Sequence, residues 1–258
     1  MPRHLLVLGD SLTYHGPERA EPPGDARIWP QVVAAELRRR SGDPVVVDLF
    51  ARPGWTARDG WWALTRDPHC WGEAMPRASA VVLALGQMDQ LPAAVPTYLR
   101  EGIPFIRPAA IRRRVRTGYR ALAPRVMSAT GGPWRQLPQP ATNHYLSRIV
   151  AGLRYFRPGL PIVLLGPSPY RAPDYPSLKP HSPAVVAGRS WAARNDVHFI
   201  DLDPIVGPSL AAGTGNPDGL HWSWPVHREI GLSVAAALDR APRPAAEAGG
   251  GPDSLVGI

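Results

Sequence analysis

The chain has 258 residues, 44% of them hydrophobic and 19% charged, enough apolar material for one sizeable α/β core and too much for a disordered chain. Its single cysteine, Cys70, excludes an intrachain disulfide and a cysteine-rich metal site, and makes a cytoplasmic address the expectation. The formal charge of +8 is carried by arginine, with Lys179 the only lysine; no nucleic-acid motif accompanies it, so small anionic partners are favoured over nucleic acid.

The opening run His4-Leu5-Leu6-Val7-Leu8 is too short for a secretory h-region, and no apolar run reaches the length of a transmembrane segment. Instead, Leu5–Leu8 is the first of five short runs rich in Val, Ile and Leu. Val45–Phe50, Ala80–Leu85, Pro161–Leu165 and Val197–Leu202 are the others. They lack polar alternation, as strands do when both sheet faces are covered. Apolar residues at helical spacing predict helices over Trp29–Arg40, stopped by Ser41-Gly42, over Thr142–Phe156, stopped by Pro158-Gly159, and over Ser223–Leu238. Strand and helix in alternation predict an α/β doubly wound parallel sheet. Between the third and fourth strands lie about 75 residues, far more than one crossover needs. There Leu91–Pro108 is proline-rich and loop-like, and Ile111–Met127 reads as an arginine-rich helix able to sit over the sheet edge. The expected organisation is one domain over residues 1–240, with 91–140 as an insertion or cap, and a disordered tail at 241–258.

The strongest chemical signal is Gly9-Asp10-Ser11-Leu12, directly after the first strand. A serine on a turn at a strand's carboxyl end can present its Oγ above the sheet, and its own N–H to a developing oxyanion, although serine in such a place can simply cap a helix. The second is Asp218-Gly219-Leu220-His221, before the last helix. A carboxylate three residues from an imidazole, across a glycine turn, can fix the tautomer and leave the other ring nitrogen to take a proton; it can equally organise a turn beside a surface histidine. The remaining histidines lack a carboxylate at this spacing and are read as structural or solvated. Gly54, after the second strand, and Gly86, after the third, are oxyanion-hole candidates or turn glycines.

In this order the four features resemble the SGNH (GDSL) hydrolases over roughly residues 5 to 235. The resemblance implies a flavodoxin-like five-stranded sheet, with Ser11 as nucleophile, His221 as base and Asp218 as its orienter. It also implies an oxyanion hole from the Ser11 and Gly54 N–H groups and an asparagine side chain. The last is missing: Gly86-Gln87-Met88-Asp89 carries Met88 where the family pattern has asparagine. Gln87 or another amide could substitute, the hole could use two backbone donors, or Met88 could line an acyl pocket, a use that suits its flexible thioether. Met88, Asp89 and Trp222 are accordingly the candidate substrate contacts.

A closer resemblance, carried by Leu8–Pro17 and the Gly86–Asp89 variant, is to mycobacterial acyltransferases of this family that acylate a glucosylglycerate precursor of methylglucose lipopolysaccharides. It implies octanoyl-CoA as donor substrate, an anionic sugar as acceptor and no cofactor. Arg107, Arg112, Arg113, Arg114, Arg116 and Arg120 then have a double reading: a solvated helix face, or, where they face a cleft, a site for a carboxylate or the phosphates of coenzyme A. Trp61 and Trp62 are expected in the core, while Trp222 and Trp224, flanking His221, suit either the core or a sugar face. A plain esterase or lipase and a non-catalytic carbohydrate binder are the alternative functions. Metal-assisted hydrolysis is disfavoured, since no other His/Asp/Glu grouping has ligand spacing. The composition is compatible with a homo-oligomer.

Overall fold

The structure, a computed structural model, describes residues 2–240. The predicted tail at 241–258 lies outside the described residues. β1 (Arg3–Gly9) enters a single 3-10 turn at Ser11–Thr13, followed by α1 (Trp29–Ser41), β2 (Val45–Ala51), α2 (Ala57–Arg66), a π-helical turn at Cys70–Ala74, α3 (Met75–Arg77) and β3 (Ala80–Ala84). Two-residue strands β4 (Pro92–Ala93) and β5 (Trp134–Arg135) then pair antiparallel and bracket α4 (Thr97–Gly102) and the long α5 (Ala109–Thr130). The chain continues through α6 (Gln139–Phe156), β6 (Ile162–Leu165), α7 (His181–Arg194), β7 (His198–Ile200), α8 (Asp203–Ala211) and α9 (Trp224–Arg240). Among the described residues no helix is long and apolar enough to cross a membrane.

The main sheet has five strands in the order β2-β1-β3-β6-β7, and every neighbouring pair is parallel. Because successive strand residues point to opposite faces, the unbroken apolar runs divide cleanly. Leu5 and Val7 meet Trp29, Val33 and Leu37 of α1 and Ile230 and Val234 of α9. Leu6 and Leu8 meet Leu64 of α2 and Ile149 and Leu153 of α6. Helices therefore cover both faces, as a doubly wound sheet requires. α1 and α9 approach closely because Gly231 has no side chain: a Cβ there would lie 2.6 Å from the Val32 Cβ and 3.0 Å from the Trp29 carbonyl oxygen.

β1 is followed in the chain by β2 on one side, and β3 then lies on its other side. The crossover direction thus reverses at β1, and the carboxyl ends of β1 and β3 flank the crevice where such sheets bind ligands. Their register pairs Gly9 with Ala84, and β1–β2 register pairs Gly9 with Ala51. Ser11, Gly54 and Gly86 consequently emerge at one edge.

The segment read as a loop, Leu91–Pro108, instead holds β4, α4 and a 3-10 turn at Ile103–Phe105. α5 buries only Ala123 and Met127, and its chief neighbours are that turn and β4. None of its residues belongs to the two core clusters that cover the sheet.

Leu83, fully buried in the middle strand β3, makes the packing of this sheet testable. Leu83→Ala is expected to lower unfolding stability by about 2–5 kcal/mol. Urea titration would show this as a lower midpoint with unchanged slope; an unshifted midpoint would contradict the packing.

Candidate active site

Ser11 opens the 3-10 turn that follows β1 and is 7% exposed. Asp10 precedes it as the cap, its Oδ1 accepting the Leu12 N–H at 2.9 Å. The other carboxyl oxygen of Asp10 is buried without a partner, and burial pushes its pKa up to about 8. At neutral pH this side chain is therefore largely protonated, and the turn can be capped without burying a full negative charge.

From the far end of the chain, the loop before α9 brings His221 to the same place. Its Nε2 lies 3.0 Å from Ser11 Oγ, and its Nδ1 lies 2.5 Å from Asp218 Oδ2. With Nδ1–H donating to the carboxylate, Nε2 is the acceptor for the serine hydroxyl. Asp218 is itself fixed by local backbone: its Oδ1 accepts the N–H groups of Leu220 and His221, at 2.8 and 2.9 Å. Burial raises the Asp218 pKa, but the His221 hydrogen bond and these N–H groups outweigh it and leave the carboxyl below its usual value. The intervening Gly219 has φ +68°, and a Cβ there would sit 2.0 Å from the Arg171 carbonyl oxygen, so only glycine fits. The Arg171 N–H donates to the Gly219 carbonyl at 2.7 Å, pinning this loop to the segment after β6.

Two histidines that the sequence offered only as structural or solvated support the pair. His15 stacks on His221 with ring centroids 3.8 Å apart and planes 21° from parallel. His227, fully buried, accepts from the Trp29 N–H through Nδ1 and donates from Nε2 to the His15 carbonyl at 3.0 Å. Burial drives the His227 pKa down to about 4, in keeping with a permanently neutral strut. Burial also lowers the His221 pKa; the Asp218 hydrogen bond opposes this, and the charge of His15 adds to the lowering.

The other expected contacts divide. Gly54 lies exposed, with φ +77° and open space around it, and Gly86 follows β3 with φ +100°. Met88 is partly exposed on the segment after β3. Gln87 is a correction: it is 2% exposed, its Nε2 donates to the Gly166 carbonyl at 2.7 Å, and its Oε1 accepts the Ser168 N–H at 2.6 Å. Its amide is committed to bracing the end of β6 and has no donor left for an oxyanion. Asp89 is a second correction. It is buried, its carboxylate accepts from the Ala57 N–H and from Thr142 Oγ1, and it thereby caps α2 rather than meeting a substrate. Burial raises the Asp89 pKa to about 7. Trp222 is a third: it is 2% exposed, with Nε1 donating to Ser168 Oγ at 3.1 Å, so no indole face is open. Trp224 is covered by the Arg27 guanidinium at 4.2 Å and abuts Gly16. Trp62, expected in the core, is exposed between Arg58 and Arg66. Among the described residues, no group of three His, Cys, Asp or Glu side chains is gathered as a metal site needs.

A serine, an imidazole and a carboxylate in hydrogen-bonded series, at the carboxyl edge of a parallel sheet, have the arrangement of a serine acyl-transfer centre. Residues 7–228 match the model of the GDSL-like Lipase/Acylhydrolase family, and the chain belongs to that family. It is 40% identical over 238 residues, 92% of each chain, to diglucosylglycerate octanoyltransferase of Mycobacterium tuberculosis. It is 41% identical to the enzyme of the same name from Mycolicibacterium hassiacum, covering 92% of this chain and 95% of that one. Among solved structures, the lipase/acylhydrolase from Enterococcus faecalis superposes with a TM-score of 0.62 at 16% identity, covering 95% of this chain and all of the other, a likeness of fold.

An imidazole must be neutral to take a proton from Ser11, so if His221 is the base, activity should be lost as pH falls through its pKa. Because that pKa is lowered, the acid limb of kcat/KM is expected below the 6.5 of an ordinary imidazole. His15→Phe keeps an aromatic stack and removes the neighbouring charge, which should move the limb upward. A limb unchanged by His15→Phe would show that the stacked ring does not act on the base.

Proposed function

We propose that this chain is a serine-dependent acyltransferase that moves a medium-chain acyl group, octanoyl, from octanoyl-CoA to a hydroxyl of diglucosylglycerate. The reading rests on the relay from Asp218 through His221 to Ser11, at 2.5 and 3.0 Å. The choice of donor chain and acceptor rests on the likeness, over 92% of its length, to enzymes named for that transfer.

In the first half-reaction Ser11 Oγ attacks the thioester carbonyl while His221 Nε2 takes its proton. Asp218 stabilises the imidazolium through Nδ1–H. The oxyanion is met by backbone N–H groups of Ser11 and Gly54, at the edge where β1 and β2 end. As the tetrahedral adduct collapses, the C–S bond breaks and His221 returns the proton to the departing thiolate. In the second half-reaction a sugar hydroxyl gives its proton to His221 and attacks the acyl-Ser11 ester, and Ser11 is released with its proton restored. Met88 lines the acyl side of the crevice. Residues 91–140 form a cap on a single catalytic domain.

Such an enzyme must favour a bound hydroxyl over water. The small exposure of Ser11 and the ring of His15 across the base both limit water at the reacting atoms.

Given octanoyl-CoA and diglucosylglycerate, the purified full chain is expected to form acyl sugar faster than free octanoate, as resolved by mass spectrometry of the products. Ser11→Ala should lose at least about 10³-fold in turnover, together with labelling by a fluorophosphonate. Octanoate release outrunning transfer at saturating acceptor would make the protein an esterase, and activity retained in Ser11→Ala would remove the nucleophile.

A further inference from the structure

The two cavities of the insertion lie outside the triad and have no part in the chemistry above. The larger, of about 760 Å³, is walled by α4, the Ile103–Phe105 turn and α5, and six arginines line it: Arg100, Arg107, Arg112, Arg113, Arg116 and Arg120. α5 contains no acidic residue along its whole length. Among the described residues, none of the six arginines forms an ion pair with a carboxylate, whereas Arg39 and Arg40 of α1 and Arg58 of α2 do. Arg112 reaches only the carbonyls of Pro104 and Ile106. Arg100 donates one nitrogen to the Gln136 carbonyl, while its Nη1 is buried with no partner at all. A buried guanidinium nitrogen left without an acceptor, beside five further cations, is a costly arrangement unless an anion completes it.

The size and charge of the cavity narrow the ligand. One carboxylate accepts from one or two guanidinium groups, and six around a volume this large suit several phosphate groups together. The volume is that of a small-molecule site. The second cavity, of about 460 Å³, shares Arg100, Tyr119 and Arg120 with the first and continues along Ala123, Pro124 and Met127 to Pro92 and Gln136. Those last two lie in or beside the β4–β5 pair, where the Leu137 N–H donates to the Asp89 carbonyl of the segment after β3. The arginine-lined end thus adjoins a partly apolar cavity with Asp174 on its wall, which reaches the residues beside the β4–β5 pair.

We propose that this arginine-lined cavity binds the phosphates of a nucleotide-linked acyl thioester, with the pantetheine arm following the second cavity toward Ser11. The proposal rests on the acyl-CoA reading of the function and assigns the donor's nucleotide end to α4 and α5. It makes the insertion the determinant of donor choice, with no covalent role.

The test compares octanoyl-CoA with octanoyl-N-acetylcysteamine, a thioester of the same acyl group that lacks the nucleotide. It uses the full chain carrying Arg113→Glu and Arg116→Glu. A control carries Arg114→Glu and Arg125→Glu, the same charge change on the same helix outside the cavity lining. The cavity variant should lower the ratio of kcat/KM for the CoA thioester to that for the truncated one by about tenfold or more. It should also weaken binding of free CoA in calorimetry, and the control should do neither. Equal losses on both donors, equal effects of both variants, or tight binding of anionic phospholipid vesicles without binding of CoA would overturn the proposal. Failure of the wild-type chain to use either thioester, with CoA binding intact and sensitive to the cavity variant, would sink the transferase reading and leave the phosphate site standing.

Discussion

The contact of His221 Nε2 with Ser11 Oγ joins two turns separated by 210 residues, and the remainder of the edge is organised to hold it. Neither turn could do so alone. Ser11 owes its place to the register of β1 with its neighbours, which ends three strands together at Gly9, Ala51 and Ala84. His221 owes its place to a loop held on both sides. On one, Gly219 packs where any side chain would strike the Arg171 carbonyl. On the other, Trp222 is sunk into the core and bonded to Ser168. Ser168 in turn donates its N–H to Gln87, so the strand ends on both sides of the crevice are linked through one buried amide. The geometry of the Asp218–His221–Ser11 series is thus a property of the core beneath it.

Two buried carboxyls show what this edge demands of the fold. Asp10 caps the serine turn and Asp89 caps α2, and burial raises both pKa values, to about 8 and about 7. A carboxyl that holds its proton in the folded chain but releases it near 4 when unfolded opposes folding increasingly as pH rises between those values. The fold accepts that penalty because each cap fixes a backbone segment bordering the crevice: the Leu12 N–H beside Ser11, and the Ala57 N–H just beyond Gly54.

The strands and the helices α1, α6 and α9 were legible because their apolar spacing is a local pattern that burial on two faces imposes. α2, α7 and α8 were not, since Gly60, Pro183 with Gly188, and Gly207-Pro208 mimic breaks in the sequence. In α2 and α7 the glycines mark close approach instead. Leu85 sits where a Gly60 side chain would be, and Phe199 presses on Gly188. Ser11, Asp218 and His221 could be singled out because each belongs to a motif of a few residues. Gln87 was misjudged because its carbonyl partners belong to a different strand end, 78 and 79 residues away. The stacking of His15 on His221, with His227 bonded to the His15 carbonyl, had no sequence signal, as it links a surface turn to the start of α9 only in three dimensions.

Met88 bears on how strongly such a centre could stabilise an oxyanion. An amide at that position would supply a third donor to the oxyanion, and loss of one donor costs about 10²–10³ in rate. Gln87 cannot make good the deficit, with both ends of its amide bound to the β6 end. The penalty falls alike on attack by water and by a sugar hydroxyl, because both pass through the same charged adduct. Only an acceptor held by the protein can offset it, since its binding contacts and fixed orientation lower the barrier in a way free water cannot share. A hole reduced to backbone donors would slow both attacks on an acyl-Ser11 ester by the same factor and leave their ratio unchanged. On this argument the departure from the family's asparagine is a loss of catalytic power alone, and any preference for transfer has to reside in the contacts that hold the acceptor.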